Sequence, residues 1–423
     1  MTKADKPAAA TEPTVLGDPD NPRDAVRETA ACADQPVVEE RITLNLLGGP
    51  IVVRIHGDAL PAAPALREAW AHLSQDPSAV PSAPEAAPQT AEPTAGAVAP
   101  IDEVTVEALE GDETVPVSVR IARTTYCVSG RITHRLLNRS LGQYVLLHSG
   151  AVDHERYGTV LLIAPSGMGK STLSTLMARE GLYLSDELAI VHPDTFEVTA
   201  YPKPVSRIDS DGVKRDLALP SLGLTPGFAA SAPSHLLLLA RDRREDPSVE
   251  PHLLRLPMSR AIPRIIEQSS SMWRLPNPLG TLARLLETVG GALEVHYCEA
   301  EQVPALLENP PEPLHEQYAV VTPQGEQRAN GDGTVASRGL GTLRVTPFVQ
   351  ALICPDGLVV LKEASVVRLD GLGALIWDLL QGDGPMTREE LLQALRREMG
   401  PHPEDEKLLD QSVRSLITES LLE

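Results

Sequence analysis

Apolar and polar residues alternate through RITLNLLGGPIVVRIHG, residues 41–57, and predict two strands about Gly48-Gly49, a hairpin signal. A helix is expected at Ala65–Leu73, with Pro64 just before it, where a missing N–H costs little. Strand-like alternation returns at 103–109 and 115–122, followed by a helix near 130–143 and a strand near 145–148. From Gly158 to about Leu307 the pattern is mixed α/β. Apolar runs at 159–163, 188–191, 235–240 and 292–297 read as buried strands, and helices are expected at 170–180, 258–268 and 279–289. A last unit begins at Leu343, with strands near 344–353, 358–363 and 365–369, then helices near 371–380, 387–399 and 405–421. Leu372, Leu375, Ile376, Leu379 and Leu380 share one helical face, and Leu391, Leu392 and Leu395 share another. Thr387 stands three residues before Glu390, a capping-box helix start. No internal repeat is visible.

Length and composition turn this pattern into domains. A chain of 423 residues has room for two or three cores. Its 38 prolines gather near the N-terminus and around 77–100 and 304–323. Residues 1–38, rich in Ala, Pro and Asp, are expected to be disordered, and 76–100 is a low-complexity Pro/Ala insertion. The expected partition is a disordered 1–38, an α+β region at 39–145, an α/β domain at 146–308, a linker at 309–342 and a compact unit at 343–423. No apolar run approaches the roughly 18 residues that span a bilayer. MTKADKPAAATEPT lacks the apolar stretch of a secretory signal. Cys32, Cys127, Cys298 and Cys354 form no pairs or framework, which suits a reducing cytoplasm. A net charge of −21 argues against nucleic acid and anionic membrane as partners, and is compatible with a basic peptide.

The candidate chemistry begins in LLIAPSGMGKSTLSTLMAREGLYLSDELAIV, from Leu161. A strand, TVLLI, feeds a glycine-rich turn, and helix-forming residues follow, as in a P-loop whose backbone N–H groups face phosphate oxygens. Ser166, Gly167, Met168, Gly169, Lys170, Ser171 and Thr172 are the candidate ATP contacts. Lys170 suits the β- and γ-phosphates, and the Ser171 hydroxyl suits Mg²⁺. Ala164 replaces the usual opening glycine, a small change where φ need not be positive. The alternative is a tight strand-to-helix turn with no nucleotide. Asp186 and Glu187 end a short apolar segment, expected as a strand beside the P-loop strand with its carboxylates aimed at the nucleotide. An ordinary charged turn is the competing reading.

The run LLHSGAVDHERYGTVLLIAPSGMGKSTLSTLMAREGLYLSDELAIV resembles the catalytic core of HPr kinase/phosphorylase and relatives that modify ribosomally made peptides. His148 matches the family histidine before the first core strand. The loop matches G-x-S-G-x-G-K-S, and Asp186 and Glu187 match the paired acidic motif. The resemblance implies that Asp186 acts as base toward a Ser or Thr hydroxyl, with His148 close by and Glu187 helping to hold the metal. Ala164 and Glu187, the latter in place of a second Asp, depart from the pattern. The match is specific over 146–210 and extends to 40–307 only in layout. Within AYPKPVSRI, Lys203 and Arg207 are candidate contacts for the transferred phosphoryl, a solvent-facing basic turn being the alternative. His154, His192, His235 and His296 show no metal-ligand spacing and read as structural.

The tail pattern VVRLDGLGALIWDLL–GDG–T–EEL resembles the PqqD-like domain, or recognition element of ribosomally synthesised, modified peptides. The resemblance implies a small winged-helix fold in which a leader peptide adds as a strand. Val366, Val367 and Leu369 would lie on the receiving strand, and Leu409, Val413 and Leu416 on the helix that walls the groove. A DNA-binding winged helix competes poorly, because its last helix begins EDEKLLDQ. A purely oligomerising domain is the other alternative.

The fold expected is an α/β P-loop kinase core with an N-terminal α+β region and a C-terminal winged-helix domain. The function expected is ATP- and Mg²⁺-dependent phosphorylation of a precursor-peptide Ser or Thr in the cytoplasm, the leader held at 343–423 and the linker raising effective concentration without fixing geometry. A non-catalytic nucleotide sensor that delivers the precursor and a small-molecule kinase are the alternatives. Homo-oligomerisation is left open.

Overall fold

Ile42 and Leu44 on one strand and Ile51, Val53 and Ile55 on the next are buried on one face, as the alternation requires. In a computed structural model describing residues 38–74, 102–242, 250–323, 341–363 and 365–423, these strands are β1 (Glu39–Leu46) and β2 (Gly49–His56). They pair antiparallel through Leu46↔Gly49, and Gly48 and Gly49 take the positive φ that the turn needs. The readings for 1–37 and 75–101 lie outside the described residues. β3 (Asp102–Val106) joins β2 in parallel, and α1 (Ala63–Trp70) and α2 (Val117–Ser140) complete this core through Leu66, Trp70, Val128, Ile132 and Leu136.

Residues 115–122 correct one expectation: helix α2 begins at Val117, just after Pro116, and no strand forms there. The alternation of Val117, Val119 and Ile121 suits a strand, but burial of Ala122, Thr125, Val128, Ile132 and Leu136 follows helical spacing. Packing overrides local preference.

The central sheet has six strands in the order β14-β15-β13-β6-β5-β7. In chain order these are β5 (Ser149–His154), β6 (Gly158–Ile163), β7 (Gly181–Ser185), β13 (His235–Arg241), β14 (His252–Leu256) and β15 (Ala292–Tyr297). β6, β13 and β15 run parallel, while β5 is antiparallel to both β6 and β7. The acidic strand therefore does not lie beside the loop strand, as expected from sequence. β5, whose Asp153 and His154 conceal its strand character, stands between them. Two antiparallel steps leave β6 and β7 pointing the same way, so their C-terminal ends share one edge of the sheet.

α3 (Lys170–Met177) covers one face of this sheet with Leu173 and Met177. It packs so closely that a Cβ on Gly150 would lie 2.2 Å from Ser174 Oγ. On the other face lie α4 (Met258–Glu267) and α5 (Pro278–Thr288). A smaller sheet, ordered β12-β9-β8-β4, holds β4 (Val145–Leu147), β8 (Ala189–Val191), β9 (Val198–Thr199) and β12 (Ala229–Ala230). A hairpin follows it, β10 (Val205–Ile208) with β11 (Lys214–Leu217), and α6 (Val303–Leu306) closes the α/β region.

At the C-terminus, β16 (Ala319–Val321), β18 (Gln350–Cys354), β19 (Gly357–Leu361) and β20 (Val366–Leu369) form an antiparallel sheet in that order. β17 (Thr342–Leu343) pairs with β21 (Met386–Thr387). α7 (Gly371–Gly382), α8 (Arg388–Met399) and α9 (Asp405–Thr418) complete the unit. Thr387 and Glu390 form the capping box. Part of the expected linker is thus a strand of this sheet, while 324–340 lie outside the described residues.

Both faces of the C-terminal sheet are buried. Ala351, Leu358 and Val360 meet Trp377, Leu391 and Leu409 of the helices. Leu352, Cys354, Val359 and Leu361 instead join Ile262, Ile265, Leu279 and Leu282 of α4 and α5. Polar ties flank this seam. Gln350 Oε1 accepts the Leu279 N–H at 2.7 Å, and Gln350 Nε2 donates to Asn277 Oδ1 at 2.8 Å. Arg368 Nε donates to Ser259 Oγ at 3.1 Å, and Ser259 Oγ donates to Asp356 Oδ2 at 2.8 Å. The expectation of a loosely tethered unit is corrected by this packing. A sheet apolar on both faces needs cover on both, and the α/β region supplies one. No described helix is long and apolar enough to cross a membrane.

Candidate functional site

β6 ends at Ile163, and the chain turns through Ala164–Gly169 into α3. Gly167 and Gly169 carry the turn at φ +81° and +98°, which L side chains rarely adopt. Ala164 does not take a positive φ, and its methyl is buried with Leu162, Leu173 and Leu237. Its departure from glycine therefore costs the loop nothing. A Cβ on Gly169 would lie 2.8 Å from Tyr297 Oη, and that hydroxyl donates to the Met168 carbonyl at 2.8 Å. Tyr297, at the end of β15, thus clamps the loop.

Ser166, Gly167 and Thr172 are exposed, and Met168 and Ser171 are half-buried. The Ser171 hydroxyl makes no hydrogen bond among the described residues. Lys170 is buried, and its Nζ donates to the carbonyls of Ala164 at 2.6 Å and Pro165 at 3.2 Å. Burial lowers its pKa, and the nearby charges of Asp186 and Glu187 act in the opposite direction.

Asp186 follows β7 and is 5% exposed. Lys203 Nζ lies 3.4 Å from Asp186 Oδ1 and 3.0 Å from Glu187 Oε2, and Lys203 is itself only 2% exposed. It is therefore no solvent-facing turn. Lys203 Nζ also donates to the Pro204 carbonyl at 3.1 Å and to Ser206 Oγ at 3.4 Å, and Ser206 donates to Asp216 at 2.6 Å. Burial works against the Lys203 charge, but Asp186, Glu187 and Asp216 outweigh it and raise its pKa above the ordinary lysine value. Behind the pair, burial pushes the Tyr183 phenol well up, with Asp186 adding to the shift. Asp186 Oδ1 has no hydrogen bond beyond its ion pair.

His148 stands on the same edge. Its Nδ1 is 3.0 Å from the Glu187 carbonyl, which assigns the proton to Nδ1 and leaves Nε2 as an acceptor. Burial of part of the ring, and then Lys170, lower its pKa, so the imidazole is neutral near pH 7. Its backbone N–H donates to Gln268, just beyond α4, at 2.6 Å.

The structure thus brings Lys170, Asp186, Glu187, Lys203 and His148 together. Arg207 is not among them: it is exposed on β10 opposite Arg215, without an ion pair among the described residues. Sequence reasoning missed Tyr297, Tyr183, Ser206, Asp216 and His72. The last holds the Pro202 carbonyl at 2.5 Å, next to Lys203. Only the proline-flanked Lys203 in YPKPV offered a signal, and its acidic partners come from other segments.

On the C-terminal unit, β20 is the last strand of its sheet, so its outer edge has no strand partner among the described residues. Val367 and Leu369 face α7–α9, whereas Val366 packs toward α4. Leu409 (0% exposed) and Leu416 (2%) correct an expectation: they lie in the core, and of the three residues expected at the groove only the half-buried Val413 nears the surface. The buried stripe of α9 is spent against α7 and α8, and its remaining apolar surface is Leu408, Val413 and Ile417.

Residues 357–420 match the family model described as Coenzyme PQQ synthesis protein D (PqqD). The C-terminal unit therefore carries a PqqD domain, of the recognition-element family. Among solved structures, the chain shows a weak similarity to the Hpr(Ser) kinase/phosphatase from Coxiella burnetii. Identity is 11%, coverage is 39% of this chain and 88% of that chain, and the TM-score is 0.24. No curated protein matches.

Proposed function

We propose that this protein is a P-loop kinase that transfers phosphate from ATP to a Ser or Thr hydroxyl of a ribosomally synthesised peptide, with a winged-helix PqqD domain holding the peptide's leader. The observation that carries this reading is the convergence of Lys170, Asp186, Glu187, Lys203 and His148 at the end of the strand that feeds the glycine loop. The loop N–H groups and the start of α3 form a cradle for phosphate oxygens. Lys170 has only two carbonyl bonds to exchange for the β- and γ-phosphates. Ser171, Asp186 and Glu187 offer hard oxygen donors, among them Asp186 Oδ1, which has an ion pair but no hydrogen bond, and these fit Mg²⁺, which when bound neutralises phosphate charge.

In the transfer, the peptide hydroxyl oxygen bonds to the γ-phosphorus as the bond to ADP breaks, and Asp186 takes the hydroxyl proton. Lys203, paired with Asp186 Oδ1, keeps that carboxylate aimed, and neutral His148 offers Nε2 as an acceptor beside it. A buried charge pair of this kind needs both members, since either alone would be an uncompensated charge.

Strand addition at β20 supports the peptide assignment. β20 and β16 are the two end strands of the sheet, and the four-residue β20 presents a row of backbone groups without a strand partner among the described residues. We assign the domains as 39–145, 146–308 and a C-terminal unit of 343–423 whose sheet is completed by β16, and the compartment as the cytoplasm. Incubation with ATP, Mg²⁺ and the peptide of a neighbouring short reading frame tests the reading. We expect phosphate mass on the peptide and its loss in Asp186→Asn. Absence of that mass in the wild-type reaction, with ATP still bound tightly, would replace the kinase by a nucleotide-gated delivery protein.

A further inference from the structure

The end of α4 belongs to two cavities at once. One, of about 240 Å³, opens at the glycine loop between Ala164, Met168, Ala240, Arg264 and Glu267. The other, of about 450 Å³, lies where the start of β20 meets the turn after α4, between Glu267, Ser269, Trp273, Leu361, Ser365 and Val366. Glu267 lines both. It is exposed and makes no side-chain hydrogen bond or ion pair among the described residues. The neighbouring Arg264 is already engaged by Glu294. The turn between the cavities also runs beside the catalytic edge, with Ser270 N–H donating to Leu146 at 2.9 Å and Gln268 accepting from His148.

We propose that the substrate peptide threads from the open edge of β20 over the end of α4 to the glycine loop, and that Glu267 takes a lysine or arginine side chain of that peptide. This rests on the kinase reading for what happens at the far end. Three observations carry it. The two cavities share a wall, so a chain leaving β20 reaches the phosphate site without crossing the protein. The larger cavity is mainly polar, with Ser269 and Ser365 hydroxyls and the Lys362 and Glu363 side chains beside Trp273 and Val366, which suits an extended backbone. The unpaired carboxylate stands where the two meet, and a cation from the peptide would complete it. The docked C-terminal unit fixes the distance this segment must span, so the spacing between leader and acceptor hydroxyl is set by the fold.

The probe is the synthetic full-length peptide of the kinase assay, carrying a benzophenone residue at successive positions between leader and acceptor. Cross-links are expected on the 269–273 turn and on residues 361–366. Glu267→Lys should lower kcat/KM for the peptide about tenfold, with recovery when the matching basic residue of the peptide is changed to Glu, and with ATP affinity unchanged. Ser365→Trp should lower phosphorylation of the full-length peptide while leaving affinity for the leader alone intact. Cross-links elsewhere, or a Glu267→Lys enzyme with wild-type kinetics and no response to the swapped peptide, would overturn the track and leave the kinase standing. A wild type that transfers no phosphate, yet shows these cross-links and the charge swap in peptide binding by fluorescence anisotropy, would keep the track and remove the kinase.

Discussion

At the glycine loop the working parts are backbone groups, and at the acidic pair they are side chains. The loop takes its shape from Gly167 and Gly169, is largely exposed, and is clamped from outside by Tyr297. In the pair Asp186 is buried and Glu187 half-exposed, and both depend on Lys203, which arrives from another segment between two prolines. Conformation alone can build the first. The second exists only because opposite charges were brought out of water together, so its parts cannot be removed singly without a folding cost. Function and stability should therefore separate at the loop and coincide at the pair.

The largest expected effect follows from that contrast. Lys203→Ala leaves the buried Asp186 carboxylate without its cation, beside a half-exposed Glu187, and should lose about 3 kcal/mol of stability together with activity. Guanidinium unfolding measures this, and a wild-type midpoint would erase the distinction between the two regions. Lys170→Ala should show the reverse balance. Phosphoryl transfer should fall by about 100-fold or more, while stability stays within about 1 kcal/mol, because burial already disfavours this charge. Parallel thermal melts and single-turnover assays separate the two. The smallest effect belongs to Ala164→Gly. Restoring the glycine removes a buried methyl and loosens the unfolded chain, at about 1 kcal/mol, with the transfer rate changed less than about threefold. A large rise in rate would mean that the methyl obstructs the nucleotide after all.

The loop, the helix after it and the acidic pair are legible in sequence because each depends on neighbours within a few positions. The C-terminal strands and helices are legible for the same reason, down to the Thr387–Glu390 cap. α2 is misread at its start, where valines at alternate positions imitate a strand until Ile132 and Leu136 are packed. β5 is missed because Asp153 and His154 break its apolar run. Leu409 and Leu416 are read as a groove wall because a helical stripe does not say whether its cover comes from the chain itself or from a partner.

By itself the sequence determined the local grammar: which segments are strands or helices, where glycine must turn the chain, and which charged residues stand at strand ends. Tertiary structure decided the rest. It inserted β5 between the loop strand and the acidic strand, and it delivered Lys203 to Asp186 and Glu187. It also pressed the PqqD sheet onto α4 and α5 where a free tether was expected. The physical reason is common to all three. Pairing of strand edges, neutralisation of buried charge and burial of a second apolar face are each settled between distant segments, and no local pattern records which partner will be there.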